Sequence, residues 1–410
     1  MLKYLDLLFN LLLIIIFLEI FFNILINYIK KDFQWIITNK DEFPFNSKKE
    51  FEKFLKKNYN FNTGWDRQKK TKGYEKIGKK ITKFEILNEG FRNTNLKKKK
   101  SYISVFGDSY AFSRFVNNDE TWESILENKI NSCVRNYGVG NFGLDQSFLK
   151  FKKTQLSKNN KIIVFAFVPE TISRINSYWK HYCEFGNKYG FKPFYKLDKD
   201  KLVLNKLLIN KKTNFKNLKD KISKIKEKDI FYERRFRYYM FSFPYLISYV
   251  KSFNRNNVIL YNMMIYKLYN IFNIKKKEYY FKCFNRIVKD NIYDANKMYN
   301  ELYFKTHLKK LMMLINNNIK KRKKNCVFLI MPQLHDLYLI KKNTPNYQNF
   351  YHEMSKKNEL NILDLTNSFL NLKNFSKVYL EDKYGGHLNK KGNTFVANQF
   401  YRYIKMKKFI

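Results

Sequence analysis

The chain has 410 residues, of which 45% are apolar, so it can form two or three domains and bury a sizeable core. This composition excludes global disorder. The formal net charge of +45 would by itself favour an anionic partner such as nucleic acid. The excess is spread along the whole chain, together with abundant Asn, Ile, Phe and Tyr, as an AT-rich coding bias would produce. We therefore expect no nucleic-acid partner.

The first recognisable element is an apolar run over residues 7–29, interrupted by Asn10, Glu19, Asn23 and Asn27. A run of this length spans a bilayer core of about 30 Å as a helix. A cleaved signal peptide is the alternative, but its basic start, shorter apolar run and small residues at the cleavage site are missing here. We predict a single-pass membrane anchor over residues 1–31. Glu19 lies in mid-span, where we expect it to be neutral or to face another protein.

The remaining chain divides into four segments by composition and periodicity. Residues 32–98 are polar and Lys-rich and predict a membrane-proximal linker, followed by a lysine run that continues to residue 100. Residues 99–195 and 325–410 alternate short apolar strands with helical patterns, so together they predict one α/β domain with a parallel sheet. The expected strands are 102–106, 133–136, 162–168, 327–331 and 362–365, and the clearest helices are 122–130, 146–156 and 391–404.

Residues 196–324 form an insertion that is rich in Lys, Tyr, Phe and Asn and mainly helical in pattern. Its stretch 241–272 mixes aromatic and aliphatic residues with Lys251, Arg255 and Lys267. This pattern is compatible with an amphipathic helix on a lipid surface. Packing against the main domain is the commoner outcome for such a pattern, and we favour it.

Four cysteines, Cys133, Cys183, Cys283 and Cys326, stand far apart without a C-x-x-C pair. This spacing predicts neither a zinc site nor a dense disulfide framework, although one disulfide is compatible with it. No cofactor or metal is indicated by the sequence.

The sharpest chemical signal is Ile-Ser-Val-Phe-Gly-Asp-Ser at residues 103–109. An apolar strand runs into Gly107, which permits a tight turn, and then presents Asp108 and Ser109 where open α/β sheets place their ligands. Ser109 is a candidate nucleophile. Because a serine hydroxyl is weakly nucleophilic at neutral pH, this reading requires a histidine base nearby; otherwise Gly-Asp-Ser is an ordinary turn.

His387 is the first candidate for that base among the five histidines. It stands in a loop before the last helix, and Gly385 and Gly386 allow the loop to fold back so that Asp382 reaches the imidazole. A carboxylate on Nδ1 would fix the tautomer and leave Nε2 free to accept the serine proton. His335, which follows the strand 327–331, is the rival base.

These motifs resemble the SGNH (GDSL-type) hydrolase superfamily: Gly-Asp-Ser at 107–109, Asn-Tyr-Gly-Val-Gly-Asn at 136–141 and Gly-Gly-His-Leu-Asn at 385–389. The resemblance covers residues 100–200 and 324–405. It implies a flavodoxin-like three-layer αβα sandwich and ester hydrolysis or acyl transfer by Ser109, His387 and Asp382. The family places its acid three residues before the histidine, where this chain has Tyr384, so Asp382 and Glu381 both remain candidates.

The same resemblance implies an oxyanion site that binds the carbonyl oxygen during acyl transfer. Its expected donors are Ser109, Gly140, Asn141 and Thr171, with Asn141 at the usual glycine position and Thr171 where the family has an asparagine. Asn tolerates positive φ better than other non-glycine residues. Arg174 is expected to bind an anionic or hydroxyl-bearing part of the substrate, or else to be a solvated loop residue.

The sequence therefore predicts a membrane-anchored serine esterase or O-acyltransferase that acts on acyl groups of cell-envelope glycans. A catalytically silent scaffold that binds glycan or an assembly partner is the alternative. Lys30 and Lys31 slightly favour a cytoplasmic body, but long domains cross membranes largely regardless of charge. The expected substrate favours an extracytoplasmic catalytic domain.

Overall fold

The computed structural model describes residues 2–45, 47–57, 59–78, 80–94, 101–274, 276–343, 346–382, 384 and 386–410. It shows a mixed α/β protein, about half helical, with a central parallel sheet. Gly385 and the lysine run 97–100, which the sequence analysis singled out, lie outside the described residues.

The strands are, in chain order, β1 (Tyr59–Asn60), β2 (Gly64–Trp65), β3 (Thr71–Ile77), β4 (Lys80–Ile86), β5 (Ser101–Gly107), β6 (Cys133–Asn136), β7 (Ile162–Phe167), β8 (Phe194–Asp198), β9 (Lys201–Asn205), β10 (Asn325–Ile330) and β11 (Ile362–Asp364).

The helices are α1 (Leu2–Lys30), α2 (Lys48–Lys57), α3 (Trp122–Ile130), α4 (Leu144–Lys153), α5 (Thr171–Arg174), α6 (Lys180–Cys183), α7 (Leu218–Lys226), α8 (Tyr245–Lys251), α9 (Phe253–Ile271), α10 (Lys277–Met298), α11 (Leu302–Lys320), α12 (Leu334–Ile340), α13 (Gln348–Lys357), α14 (Thr366–Leu370) and α15 (Lys390–Met406).

The central sheet contains five parallel strands in the order β6, β5, β7, β10, β11. Its inner strands are short runs of Val, Ile and Phe, as strands buried on both faces require. In the middle of the sheet, Ile162 of β7 pairs with Ile103 of β5 on one side and Asn325 of β10 on the other. The two separated parts of the chain therefore meet in one sheet, which confirms the predicted parallel sheet and brings the carboxyl ends of its strands to a common edge.

Alternate residues of the inner strands face two different hydrophobic clusters. Phe106, Phe165 and Phe328 point into the larger cluster, which they share with insertion helices such as α10 and α11. Val105 and Val164 point into the smaller one, which α3 and α15 cover. Each of these side chains is fully buried, and each such burial contributes roughly 1.5–3 kcal/mol to folding.

The helix α1 contains the predicted anchor. Its section Lys3–Lys30 contains an 18-residue window with a mean hydropathy of 2.6 and is long and apolar enough to cross a membrane, a property that signal sequences share. Most side chains before Phe22 are exposed, whereas Phe22, Ile26 and Ile29 are buried against the rest of the protein. The apolar helix is therefore free along its first two thirds and packed at its end.

The described part of the segment 32–98, which ends at residue 94, folds onto the body of the protein. Phe33, Ile36 and Phe45 are buried in the larger cluster together with Phe51 of α2, and the antiparallel hairpins β1–β2 and β3–β4 follow this helix. The polar composition that predicted a linker reflects the exposed faces of these short elements. The division of the chain at residues 31, 98, 195 and 324 stays a prediction.

The insertion is mainly helical, with the helices α7 to α11 and one antiparallel hairpin, β8–β9. The helices α9 and α10 pack along each other, and α11 leads back into the sheet through β10. The stretch 241–272 is buried on one side, for example at Ile259 and Met263, and exposed on the other, for example at Ile247 and Leu268. The stretch thus packs against the body on one side, as the favoured interpretation expects, and contact of its exposed side with lipid stays a prediction.

Candidate active site

Ser109 follows the turn that ends β5. Gly107 is needed in this turn because a Cβ there would lie 1.8 Å from the carbonyl oxygen of Ala166. Asp108 is fully buried, and its carboxylate accepts hydrogen bonds from the backbone N–H of Tyr110 at 2.8 Å and of Val168 at 3.1 Å. The second bond ties the end of β5 to the end of β7. Asp108 therefore holds Ser109 at the carboxyl edge of the sheet.

His387 lies against Ser109. Its Nε2 is 3.0 Å from Ser109 Oγ, and its Nδ1 is 2.6 Å from Asp382 Oδ2. With the Nδ1 proton donated to the carboxylate, Nε2 is the acceptor for the serine hydroxyl. Ser109 and His387, which are 278 positions apart in the chain, thus form one hydrogen-bonded series with Asp382.

Asp382 is oriented by the loop that carries it. Its carboxylate accepts backbone hydrogen bonds from Tyr384, Gly386 and His387 at 2.6, 3.2 and 2.9 Å. Burial would raise the pKa of Asp382, but the imidazole of His387 and these backbone donors outweigh it and lower the pKa to about 2. Gly386 has φ of +93°, the left-handed region that glycine tolerates, as the reversal of the loop requires. Glu381, the other candidate acid, is exposed.

Aromatic side chains hold the imidazole in place. The Tyr110 ring lies 5.2 Å from that of His387, and the Tyr110 hydroxyl donates to the carbonyl oxygen of Gly386 at 2.5 Å. Phe115 packs edge-on at 5.4 Å. The sequence analysis did not single out these two residues, although both lie within six positions of Ser109 in a segment rich in aromatics.

Asn141 faces the same cleft as Ser109 and His387. Its φ is +70°, so it adopts the conformation expected of a residue in a glycine position. Among the described residues, no acceptor takes the backbone N–H of Ser109 or of Asn141, so both remain available to a ligand. The carbonyl oxygen of Asn141 accepts from Lys180 Nζ at 2.9 Å, and that of Gly140 accepts from Trp65 Nε1 at 3.2 Å. These bonds fix the peptide on both sides of Asn141.

Thr171 does not join the cleft as the sequence analysis expected. It is fully buried at the start of α5, and its hydroxyl oxygen accepts the backbone N–H of Leu144 at 3.0 Å. That N–H is one of the free donors at the start of α4, so Thr171 links two helices rather than facing a substrate. The neighbouring Glu170 lines the cleft instead.

Arg174 lines the cleft, but its nitrogens all donate to the protein. It contacts Asp108 at 3.2 Å, Glu170 at 3.0 Å and Glu184 at 2.9 Å, and only 7% of its surface is exposed. Burial acts against its positive charge, yet the three carboxylates raise the pKa of Arg174 above its ordinary value. The structure therefore places Arg174 as the centre of a buried ion network behind Ser109, and it is not a solvated loop residue.

His335 does not reach Ser109. It lies at the start of α12, and burial lowers its pKa to about 4. His307 is also buried, with Nδ1 2.7 Å from Asn176 Oδ1. Within the described part of the chain, no group of three or more His, Cys, Asp or Glu side chains is arranged to hold a metal ion. The four cysteines are buried thiols, and no disulfide joins them.

The cleft at Ser109 is narrow, with a volume of about 50 Å³. A larger depression of about 350 Å³ adjoins it, and Asn141 and Arg114 line both. The other walls of this larger depression include two aromatic and three basic side chains, those of Trp65, Tyr189, Arg67, Lys180 and Lys188.

No protein-family model and no curated protein matches the sequence. Among solved structures, the chain is similar to a protein from Desulfitobacterium hafniense DCB-2 described as a member of the lipolytic G-D-S-L family, with a TM-score of 0.34 and 10% identity over 74% of this chain and 99% of that chain. A second solved structure aligns with a TM-score of 0.34 and 11% identity over 75% of this chain and 97% of that chain. Both similarities are too distant to assign the chain to that family or to its activity.

Proposed function

We propose that this protein is a membrane-anchored serine esterase or O-acyltransferase that acts on acyl esters of cell-envelope glycans. The observation that carries the proposal is the hydrogen-bonded series Ser109 Oγ, His387 and Asp382, with distances of 3.0 and 2.6 Å. A serine hydroxyl, an imidazole and a buried carboxylate in this order form the arrangement that activates serine for attack on an ester.

In the proposed reaction, His387 Nε2 accepts the proton of Ser109 while Oγ attacks the carbonyl carbon of the ester. The imidazolium then donates this proton to the leaving alcohol, and an acyl-serine remains. Water that attacks the acyl-serine gives an esterase, whereas a sugar hydroxyl gives an O-acyltransferase. Asp382 keeps the imidazole in the productive tautomer and stabilises its positive charge.

The proposed oxyanion donors are the backbone N–H groups of Ser109 and Asn141. Both are free of acceptors among the described residues, and Asn141 has the positive φ of a glycine position. A well-placed donor stabilises the developing oxyanion by roughly 3 to 4 kcal/mol. The conformations of Gly140 and Asn141 are fixed by Trp65 and Lys180, which supports a site that needs little rearrangement.

We also propose the flavodoxin-like three-layer arrangement and membership of the SGNH hydrolases. Counted along the chain, the five parallel strands follow the order 2-1-3-4-5, which is the flavodoxin-like order. The two hydrophobic clusters on opposite faces of the sheet support one helical layer on each side.

The larger depression next to Ser109 is the proposed site for the glycan part of the substrate. Trp65 and Tyr189 offer aromatic faces, and Arg67, Arg114 and Lys188 offer donors to hydroxyl or carboxylate groups. An ester on a bound sugar would have to pass Asn141 to reach Ser109, since Asn141 lines both the depression and the narrow cleft.

A fluorophosphonate probe tests the nucleophile. We expect the intact protein to be labelled and Ser109→Ala to lose the label. Ser173→Ala is the matched control, because Ser173 is equally buried but its hydroxyl faces Met298 Sδ in the core. A correctly folded intact protein that takes up no label would contradict the enzyme and favour the silent glycan-binding scaffold.

An acyl donor ester and a sugar acceptor distinguish the two enzyme classes. We would follow released acid and acylated sugar by mass spectrometry with the intact protein and with Ser109→Ala. Acylated sugar that depends on Ser109 identifies a transferase. If the protein releases as much acid with the sugar acceptor as without it, it is an esterase.

We propose that the protein spans the membrane once and that its catalytic domain lies outside the cytoplasm. The long apolar helix α1, mostly exposed along its first two thirds, supports the anchor. Leu302→Cys places a thiol at an 80% exposed position, while the four native thiols are buried. Labelling of this variant in intact cells by a membrane-impermeant maleimide is expected, and labelling only after lysis would contradict the orientation.

A further inference from the structure

The surface formed by residues 238–274 is unusual in so basic a protein. In this fully described stretch the only charged residues are Lys251, Arg255 and Lys267, although 28% of the whole chain is charged. Arg255 and Lys267 turn inward, where they pair with Asp290 at 3.4 Å and Asp32 at 2.6 Å. The outward side chains of α9 are uncharged, and Lys251 at the end of α8 is the exposed charge of this surface. The exposed aliphatic and phenylalanine side chains on it are those of Phe243, Ile247, Val250, Phe253, Met264, Leu268, Ile271, Phe272 and Ile274.

This apolar surface is continuous with α1. The ring of Tyr249 in α8 stacks on Phe22 with their centroids 4.5 Å apart. Lys267 in α9 lies over the ring of Tyr28 at 3.5 Å, near the end of α1. The helices α8 and α9 therefore pack beside the last third of α1, so that their exposed apolar side chains extend its apolar surface.

The contacts of Glu19 show at which level along α1 the helix α8 begins. Its carboxylate accepts the backbone N–H groups of Tyr245 at 2.6 Å and Leu246 at 2.8 Å, which begin α8. Glu19 precedes Lys30 by eleven positions, which is about 16 Å along a helix that rises about 1.5 Å per residue. Half of a bilayer core is about 15 Å. If α1 spans the bilayer, the start of α8 lies near its midplane.

The bonds of Glu19 fit such a position. The first N–H groups of a helix have no partner within the helix, and water satisfies them at an aqueous surface. In hydrocarbon no water is present, so each such N–H group requires a protein acceptor. Glu19 supplies two acceptor oxygens at this point of α8, so it faces a helix of its own chain and not another protein, which explains an acidic residue in the middle of an apolar span.

We infer that α8 and α9 are immersed in one leaflet of the bilayer beside α1, with lipid acyl chains covering their apolar face. The inference rests on the proposed span of α1 and is independent of the catalytic residues. The exposed Lys276 and Lys277 follow this face directly and suit contact with anionic headgroups. The body of the protein therefore contacts the membrane directly through α8 and α9, in addition to the span of α1.

Seating the body in the leaflet brings the catalytic cleft to the membrane surface. Trp35 lines the cleft together with Ser109 and His387, and it follows Lys30 by only five positions. Five residues reach at most about 18 Å when fully extended. If α1 ends at the membrane surface, the cleft therefore lies within reach of a substrate presented there.

Fluorescence quenching of the full chain by lipid tests this inference. Single cysteines introduced by Ile247→Cys and Leu268→Cys carry an environment-sensitive fluorophore, in nanodiscs of phosphatidylcholine and phosphatidylglycerol with brominated or ordinary acyl chains. Ile14→Cys reports the span of α1, and Leu302→Cys is the matched control, an exposed apolar residue at the start of α11. The native cysteines are buried, so they do not compete for the label.

We expect brominated lipid to quench the labels at positions 247 and 268 as strongly as at position 14 and several-fold more than at position 302. Quenching at 14 without quenching at 247 and 268 overturns the inference while the anchor stands. A blue-shifted emission at 247 and 268 that brominated lipid leaves unchanged also overturns it, because protein then covers the face. If the label at position 14 is not quenched, both the proposed span of α1 and this inference are wrong. The catalytic proposal is then still decided separately, by probe labelling of Ser109.

Discussion

Arg174 Nη1 lies 3.2 Å from Asp108 Oδ2, one residue before the candidate nucleophile Ser109. The same guanidinium binds Glu170 and Glu184, and Lys180 contacts Glu184 at 3.0 Å. The wall of the cleft behind Ser109 is thus a buried ion network in which one arginine serves three carboxylates. Since Asp108 also anchors the end of β5 to that of β7, the network positions Ser109 without touching it.

Replacement of Arg174 is expected to destabilise the fold strongly. Arg174→Met leaves the buried carboxylates of Asp108 and Glu170 and the partly buried one of Glu184 without their shared cation, and removal of one partner from a buried ion pair costs about 3 to 5 kcal/mol. Urea unfolding followed by circular dichroism measures the change. Glu353→Ala is the control because its ion pair with Lys357 is exposed, and we expect no measurable change there. Equal stability of Arg174→Met and the intact protein would show that the network does not hold the turn.

Asp382 and Glu381 are distinguished by paired substitutions. Asp382→Asn preserves the shape of the side chain but removes the negative charge that fixes the imidazole tautomer, so kcat should fall by several orders of magnitude, up to about 10⁴. Glu381→Gln alters an exposed residue and should leave kcat unchanged. Steady-state rates with an activated ester measure both. A larger loss in Glu381→Gln would reassign the acid.

Tyr110 is predicted to be a positioning residue. Tyr110→Phe removes the hydrogen bond to the Gly386 carbonyl oxygen and leaves this buried acceptor unpaired, at a cost of about 1 to 3 kcal/mol. The ring that packs on His387 remains. We expect a several-fold lower kcat, an almost unchanged KM and greater mobility of the His387 ring by NMR. A rise in KM at constant kcat would instead indicate that Tyr110 binds substrate.

Glu127 makes stability depend on pH. Burial raises its pKa from 4.5 to about 8, against hydrogen bonds from the Val134 N–H and the Thr94 hydroxyl that favour the charged form. Between about pH 5 and 8 the unfolded chain ionises Glu127 while the folded protein keeps it protonated, so the free energy of unfolding falls as pH rises.

Glu127→Gln removes this titration. The free energy of unfolding of the variant minus that of the intact protein should therefore rise from pH 5 to pH 8, with a slope that approaches about 1.4 kcal/mol per pH unit. The difference between their melting temperatures should rise in the same direction. Differential scanning calorimetry at the two pH values measures the difference. A difference that is the same at both values would show that Glu127 ionises normally in the folded protein.

Several local features could be predicted because they depend on neighbours in the sequence. The helix expected over residues 122–130 is α3, with the same bounds, because Thr121 caps its start and Asn131 adopts a left-handed conformation at its end. The five central strands lie within three residues of their predicted bounds. The turn at Gly107 and the reversal near Gly386 were also visible, since both depend on glycine.

The expectations for Thr171 and Arg174 depended mainly on contacts between segments that are distant in the chain. Thr171 faces the first turn of α4 and Arg174 faces three carboxylates from different segments, so neither side chain points freely into the cleft. The linker prediction for the segment 32–98 rested on its polar, Lys-rich composition, yet Phe45 and Phe51 enter the larger cluster. A few apolar side chains in a polar segment can be buried by tertiary packing, which average composition does not reveal.

By itself, the sequence determined the apolar span, the parallel α/β sheet and the three residue types that could activate a serine. Those features follow from hydrophobic length, strand and helix periodicity and glycine-bearing loops, which are all local properties of the chain. Only the tertiary structure decided that Ser109 and His387 lie 3.0 Å apart, that Asp382 contacts the imidazole, and that Glu19 caps α8. Distances between remote residues are set by the packing of the whole core around the sheet, which no short stretch of sequence specifies.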